Sequence, residues 1–170
     1  MIPHVKMRPV TMERFPAGID KKGFIQKDVS KGFPDWLERG GGTFVVTASA
    51  AGLLTALGTA TYSVTKHGSV AFAEWLSATY RHRGIVVHAI CPQGVKTRML
   101  EEAGPLQELL SHDTALEPEQ VADTVWHAMQ DDRFLILPHP EVATYYANRA
   151  TDTDRWLAGM RKLQSKLDAS

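Results

Sequence analysis

The chain has 170 residues, of which 44% are hydrophobic and 22% are charged, and its 19 Lys and Arg residues balance 19 Asp and Glu residues. This length predicts about one domain with a sizeable core, and the high apolar content excludes a disordered chain. The balanced charge argues against nucleic acid and anionic membranes as partners.

The cysteine content and the N-terminal residues bear on location. Cys91 is the single cysteine, so no internal disulfide can form, which is typical of a reducing cytoplasm. Residues 40–65 carry no Asp, Glu, Lys or Arg, but recurrent glycines and hydroxyl side chains interrupt the long apolar run that a membrane-spanning helix needs. Residues 1–15 contain no apolar segment typical of a signal peptide. We therefore expect a cytoplasmic protein without a membrane span.

The N-terminal residues differ in composition from the rest of the chain. Proline and glycine recur too often for long helices or strands, and basic residues outnumber acidic ones. We interpret residues 1–32 as an irregular, solvated basic arm and residues 33–170 as the folded domain. The end of a helix is predicted at residues 33–39, because the glycines at positions 40–42 would stop it.

Apolar patterns predict alternating strands and helices from residue 43 onward. Three short apolar runs are the predicted strands: Thr43–Ala48, Ile85–Ile90 and Phe134–Leu137. A helix is predicted over about Thr61–Arg83, ended by Gly84, and another begins at Pro118. In the tail, four residues have amphipathic helical spacing: Trp156, Met160, Leu163 and Leu167.

The first predicted helix has one apolar face. Its members recur at three- and four-residue steps: Val64, Gly68, Ala71, Phe72 and Trp75. The charged residues Lys66, Glu74 and Arg81 fall elsewhere on the helix. This pattern is typical of an amphipathic helix.

The order of strands and helices predicts an α/β fold with a parallel sheet. In such sheets, ligands bind beyond the carboxyl ends of the strands. Three loops therefore become candidate sites, beginning at Ser49, Cys91 and Pro138.

The residues that follow the first strand include three that indicate acid–base chemistry: Ser49, Tyr62 and Lys66. Tyr62 and Lys66 are four positions apart on the following helix and share a face. A nearby ammonium favours an ionised phenol, so we expect Lys66 to lower the pKa of Tyr62 and make it a general acid or base. The hydroxyl of Ser49 can hydrogen-bond and orient a substrate oxygen. The Tyr–Lys pair alone also fits a solvated helix face, and the upstream serine and the strand–loop–helix context make the pattern specific.

Four segments together resemble the short-chain dehydrogenase/reductase family: Thr47–Gly52 (TASAAG), Tyr62–Lys66 (YSVTK), Cys91–Met99 (CPQGVKTRM) and Glu117–Ala122 (EPEQVA). The resemblance covers about residues 33–137. It implies a Rossmann-like fold and an NAD(P)-dependent interconversion of an alcohol and a carbonyl. It gives proton transfer to Tyr62 and substrate orientation to Ser49. It gives Lys66 two roles, lowering the pKa of the tyrosine and hydrogen-bonding the nicotinamide ribose.

The same resemblance implies a cofactor loop after the second strand. The family pattern there is Pro-Gly-x-Val-x-Thr. This chain has Pro-Gln-Gly-Val-Lys-Thr at residues 92–97, so Gln93 departs from the pattern and resembles an inserted residue. The implied cofactor-binding residues are Tyr62, Lys66, Pro92, Gly94, Val95 and Thr97. The resemblance also implies NAD or NADP without a preference, a small alcohol or carbonyl substrate, and a homo-oligomer formed through the helix of Tyr62.

Some features of the family are missing from these residues. None of the 13 glycines reproduces the phosphate turn Thr-Gly-x-x-x-Gly-x-Gly, and the glycines at 40–42 precede a strand instead of a helix. The family residue that selects NAD from NADP has no counterpart here. The family's catalytic asparagine precedes the strand of the serine, and it is absent because the only asparagine, Asn148, lies far downstream. We therefore expect residues 33–170 to be a partial Rossmann-like catalytic domain, the C-terminal half of a doubly wound fold.

A second hypothesis stays open at this point. The chain could be a truncated, inactive family member that binds a partner, or a gene fragment with a misassigned start. A sheet cut to three or four strands would expose an unpaired edge that invites pairing with another chain. Cofactor titration and a Tyr62→Phe variant separate the two hypotheses.

The remaining candidates have simpler explanations. No metal site is predicted, and surface or packing roles are favoured for six histidines because they lack paired ligand spacing: His67, His82, His88, His112, His127 and His139. Cys91 is interpreted as a small buried residue in preference to a reactive thiol. Tyr145, Tyr146 and Trp156 could line a substrate pocket, but core packing is favoured for each.

Overall fold

The computed structural model of the chain describes residues 37–38, 40–102 and 115–169. The arm predicted for residues 1–32 lies outside the described residues. Of the helix end predicted at residues 33–39, Leu37 and Glu38 are described, and both are helical. Within these ranges, no helix combines the length and apolar character needed to cross a membrane.

The described ranges form a parallel sheet with helices between its strands. The strands are β1 (Gly42–Thr47), β2 (Ile85–Ile90) and β3 (Leu135–Ile136). The helices are α1 (Ala60–Tyr80), α2 (Arg98–Glu101), α3 (Pro118–Gln130), α4 (Glu141–Thr151) and α5 (Thr153–Leu167). The strand order is β1-β2-β3, and both pairings are parallel. The predicted α/β class with a parallel sheet is confirmed.

The ends of α1 follow from local chemistry. Thr59 caps the helix, because its Oγ1 accepts a hydrogen bond from the Tyr62 N–H at 3.4 Å. After Tyr80, a single 3-10 turn leads to Gly84, whose φ of 85° lies in the left-handed region that glycine adopts at little cost. The predicted stop at Gly84 is confirmed.

The tail contains one more helix than the spacing indicated. The amphipathic residues from Trp156 onward lie in α5, as predicted, but α4 precedes it. Asp152 separates the two helices and caps α5, since its side chain accepts from the Arg155 N–H at 2.9 Å. A single non-helical residue therefore separates the two helices of the tail.

Helices cover both faces of the sheet. On one face, Ala73 and Leu76 of α1 pack against Ile85 and other buried residues of the strands. On the other face, Ala128 of α3 packs beside Ile90 and Ile136. A third cluster lies at the carboxyl ends of the strands and consists of Ala48, Ala50, Leu53, Val70, Cys91 and Val142. This last cluster fixes the loops after β1 and β2 against α1 and α4.

The buried face of α1 is not the apolar face that the sequence indicated. The buried residues are Ser63, Ser69, Val70, Ala73 and Leu76. Val64 is 72% exposed and Trp75 is 42% exposed, on the opposite side of the helix. Two serines can lie inside because their hydroxyls are paired: Ser69 Oγ donates to Thr65 O at 3.0 Å, and Ser63 Oγ accepts from the Ala56 N–H at 3.0 Å.

Candidate active site

Ser49 lies at the carboxyl end of β1, where it begins a short 3-10 turn over Ala50–Gly52. Its Oγ accepts a hydrogen bond from the Ala51 N–H at 3.1 Å, and the hydroxyl keeps its own proton to donate. The Ala50 N–H donates to Pro92 O at 2.8 Å. The loops after β1 and β2 are therefore joined directly at Ala50, the residue after Ser49.

Lys66 connects Tyr62 to the end of β1. Its Nζ lies 5.6 Å from the centre of the Tyr62 ring, within the range of a cation–π contact. The same Nζ donates to Thr47 O at 3.4 Å, two residues before Ser49. Tyr62, Lys66 and Ser49 are all half-buried. The structure thus brings the predicted tyrosine and lysine to the strand end that carries the predicted serine.

Gly52 allows the turn after Ser49 to lie directly on α1. A Cβ added at Gly52 would lie 2.6 Å from Lys66 O and 2.9 Å from Val70 Cγ2. These distances are shorter than contacts that side chains tolerate, so any residue other than glycine would push the turn away from the helix. The absence of a side chain at Gly52 therefore sets the distance between the Ser49 turn and Lys66.

The predicted cofactor loop is fixed by backbone pairing. Gly94 is buried, and its carbonyl accepts from the Leu116 N–H at 3.1 Å. The Lys96 N–H donates to Leu116 O at 2.9 Å, so Val95 and Leu116 form a parallel bridge. Pro92 is therefore hydrogen-bonded to the turn that follows Ser49. Pairing with Leu116 holds Gly94 and Val95.

Thr97 occupies a different place from the other predicted loop residues. It is exposed at the start of α2, and its Oγ1 donates to Val95 O at 3.2 Å. Within the described ranges, no hydrogen bond joins it to Ser49, Tyr62 or Lys66.

Cys91 lies fully buried beneath these loops. Burial raises the pKa of its thiol to about 11, against the opposing effects of a hydrogen bond from the Ser49 backbone and the charge of Lys66. The thiol is therefore protonated at neutral pH, which makes it a poor nucleophile. The interpretation of Cys91 as a small buried residue is confirmed.

The raised pKa of Cys91 predicts a loss of stability in alkaline solution. The unfolded chain releases the thiol proton near pH 9, whereas the folded chain holds it to about 11. The free energy of unfolding should therefore be unaffected by this group below pH 9 and fall as pH rises toward 11, by at most about 2–3 kcal/mol. Urea unfolding of the chain and of a Cys91→Ala variant across this range measures the effect. Parallel pH profiles for the two proteins would contradict it.

The sequence did not single out His139 as a residue of the site. His139, only 2% exposed, lies in the loop after β3, and its Nδ1 accepts from the Gln93 N–H at 3.1 Å. The sequence favoured a surface or packing role for this histidine. The sequence did contain one signal for His139. It lies in the loop that begins at Pro138, after the third predicted strand, and ligands bind at this edge of a parallel sheet.

The aromatic residues of the tail lie at the surface. Tyr145 and Tyr146 are 36% and 38% exposed, so core packing was the wrong interpretation for both. Tyr145 and Trp156 line a groove of about 670 Å³ between Leu54 and the two tail helices. The pocket-lining alternative therefore fits these two residues.

Arg149 holds the tail against the rest of the site. Its guanidinium donates to Leu53 O and lies 3.0 Å from His67 Nε2 on α1. It also stacks on Trp156, 5.5 Å from the ring centre.

Among the residues that the structure describes, no cluster of three or more His, Cys, Asp or Glu side chains could hold a metal.

Comparison with known proteins identifies the family. Residues 27–108 match the family model described as short chain dehydrogenase. The chain is 31% identical over 134 residues to 1-deoxy-11-beta-hydroxypentalenate dehydrogenase of Streptomyces exfoliatus, a match that covers 78% of this chain and 48% of that protein. The chain belongs to the short-chain dehydrogenase family. It spans about half the length of the curated relatives that it matches.

Solved structures of short-chain dehydrogenases share the fold. One from Burkholderia phymatum, in complex with NAD, is 26% identical with a TM-score of 0.63, and the match covers 74% of this chain and 53% of that one. Another from Sphingobium yanoikuyae, in complex with NADPH, is 20% identical with a TM-score of 0.59 and covers 81% of this chain and 50% of that one. The predicted Rossmann-like sheet with flanking helices is confirmed for the described part of this short-chain dehydrogenase.

Proposed function

We propose that this short-chain dehydrogenase is an NAD(P)-dependent oxidoreductase that interconverts an alcohol and a carbonyl compound. One observation carries the proposal: Lys66 contacts the ring of Tyr62 and also the carbonyl of Thr47 at the end of β1. Because Ser49 follows that strand end, an acid–base group and an orienting hydroxyl lie at one edge of the sheet. This is the edge at which ligands bind in parallel sheets.

The residues at this edge suit the nicotinamide half of a dinucleotide. Thr47 O accepts one of the three N–H bonds of Lys66, and the others can donate to ribose hydroxyls. We propose that Tyr62, Lys66, Pro92, Gly94, Val95 and Thr97 hold the cofactor. When bound, a nicotinamide ring supplies or accepts the hydride. The NAD and NADPH complexes of related structures support a nicotinamide cofactor without deciding between the two.

The side chains divide the proton chemistry between them. During carbonyl reduction, Tyr62 donates its phenolic proton to the substrate oxygen as hydride reaches the neighbouring carbon. Ser49 donates a hydrogen bond to the same oxygen and fixes its position. The ammonium of Lys66 stabilises the negative charge left on Tyr62. In alcohol oxidation the same groups act in the reverse direction.

Cofactor titration tests this function. Titration with NADH and with NADPH, followed by protein fluorescence, should give saturable binding with a Kd at or below about 1 mM. We expect bound cofactor to be consumed when a ketone is added. Absence of binding at millimolar concentrations of both cofactors would contradict the proposal and favour an inactive, partner-binding member of the family.

The exposed face of α1 supports a homo-oligomer as part of the proposed function. Val64 and Trp75 are exposed apolar residues there, and Gly68 and Ala71 lie between them on the same face. Small residues beside an apolar patch allow another helix to approach closely. We propose that a second copy of the chain packs on this face, in the cytoplasm, where Cys91 remains reduced.

A charge on this face should separate the subunits. Trp75→Glu places a carboxylate in the proposed interface, and we expect it to convert the oligomer to single chains, as measured by light scattering after size exclusion. Ala122→Glu puts the same charge on the exposed side of α3 and should leave the mass unchanged. A mass of one chain for the unsubstituted protein would contradict the interface.

A further inference from the structure

His139 is an internal residue held in a defined orientation. It lies between Pro138 and Pro140, is 2% exposed, and its carbonyl accepts from the Val142 N–H at 3.2 Å. Its Nδ1 accepts from the Gln93 N–H at 3.1 Å. Because a backbone N–H can only donate, Nδ1 carries no proton, and the neutral ring is protonated at Nε2.

Packing alone does not account for a histidine at this position. Nε2 is buried and has no hydrogen-bond partner among the described residues. A buried N–H without a partner costs free energy. An apolar side chain of similar volume would fill the space without that cost. The feature of His139 that an apolar residue could not reproduce is its contact with Gln93.

Gln93 is the second residue of the proposed cofactor loop, Pro92–Thr97. Its neighbour Pro92 accepts from the Ala50 N–H through its carbonyl, and its neighbour Gly94 accepts from the Leu116 N–H. Three consecutive residues of the loop are thus each bonded to a different part of the chain. Of these three bonds, the bond from Gln93 is made to a side chain, and it connects the loop to the segment that follows β3.

We propose that His139 is a positioning residue for the Pro92–Thr97 loop and, through the Gln93 N–H, sets how that loop meets the nicotinamide half of the cofactor. The contact with cofactor rests on the proposed function. The hydrogen bond to Gln93 is independent of it. His139 acts in its neutral form, with the proton at Nε2.

Three variants separate positioning from packing. His139→Asn keeps an acceptor oxygen close to the position of Nδ1. His139→Leu fills the space without an acceptor, and His139→Gln carries its amide one bond too far. We expect the Kd of NADH to rise roughly three- to tenfold in the Leu and Gln variants, the loss of about one hydrogen bond, and to stay within about twofold in the Asn variant.

Amide exchange gives a readout that does not depend on activity. The Gln93 N–H should exchange slowly with solvent in the unsubstituted chain and in His139→Asn, and about tenfold or more faster in His139→Gln and His139→Leu. The ring nitrogens should show an unprotonated Nδ1 by nitrogen NMR. If His139→Leu does not fold, the comparison of the Asn and Gln variants gives the same answer.

Two results would overturn the positioning role. One is equal exchange of the Gln93 amide in all the folded proteins, and the other is an unchanged Kd of NADH in both His139→Gln and His139→Leu. Failure of the unsubstituted chain to bind NADH, with Gln93 still protected, would count against the proposed function. The exchange of Gln93 alone would then decide the positioning role.

Discussion

Replacing Tyr62 by phenylalanine is expected to slow ketone reduction by about a hundred- to ten-thousand-fold, the usual contribution of a general acid. The substitution removes the phenolic hydroxyl and keeps the ring, so the contact of Lys66 Nζ with the ring, at 5.6 Å, can persist. The fold should therefore change little, and the affinity for NADH should fall by no more than about tenfold, the loss of one hydrogen bond from the Tyr62 hydroxyl to the cofactor. Rates are measured from the loss of NADH absorbance, and affinity by fluorescence titration.

A second tyrosine provides the matched control. Tyr146 lies on α4, is 38% exposed, and has no part in the proposed chemistry. Tyr146→Phe removes an identical hydroxyl and should leave the rate within about twofold. A Tyr62→Phe variant as fast as the unsubstituted protein would mean that another group delivers the proton.

The second large effect is expected at Gly52. In Gly52→Ala the new Cβ would lie 2.6 Å from Lys66 O, so the turn that follows Ser49 must move away from α1. Overpacking of this kind costs about 1–3 kcal/mol in the free energy of unfolding. Because a shift of about 1 Å in a catalytic group can cost about a hundredfold in rate, we expect reduction to slow by up to that factor. Urea unfolding and steady-state kinetics measure the two effects separately.

Gly159 offers the comparison for the same chemical change. It lies in α5, and nothing is within 4 Å of a Cβ added there. Gly159→Ala should raise the free energy of unfolding by about 0.5–1 kcal/mol, since alanine favours a helix over glycine. A Gly52→Ala protein with unchanged rate and stability would contradict the close approach of the Ser49 turn to α1.

The fold was predictable because its signals are local. β1 and β2 are both apolar runs with a glycine at the amino end. Gly84 stops the helix before β2 through its own left-handed backbone conformation. The orientation of α1 was not predictable from periodicity. Its buried face includes Ser63 and Ser69, whose hydroxyls are paired inside the protein, whereas Val64 and Trp75 are exposed. The proposed interface gives a physical reason for apolar residues on the outer face.

The candidate site was predictable only where residues lie close in sequence. Tyr62 and Lys66 share a helix face by spacing, and Ser49 directly follows a strand, so their proximity could be inferred. His139 contacts Gln93 across 46 positions, and Arg149 reaches Leu53 across 96. Such contacts depend on how the strands and the tail pack, which no local pattern encodes.

Transfer of deuterium to a ketone tests the proposed function most directly. The protein is incubated with NADH or NADPH deuterated on either face of the nicotinamide C4 and with a panel of cyclohexanone, acetophenone and ethyl acetoacetate. The products are analysed by mass spectrometry. We predict an alcohol with one deuterium at the carbinol carbon from one face of the cofactor, and a greatly reduced yield from Tyr62→Phe. Cofactor binding without deuterated alcohol from any of these ketones would contradict the function proposed for this chain.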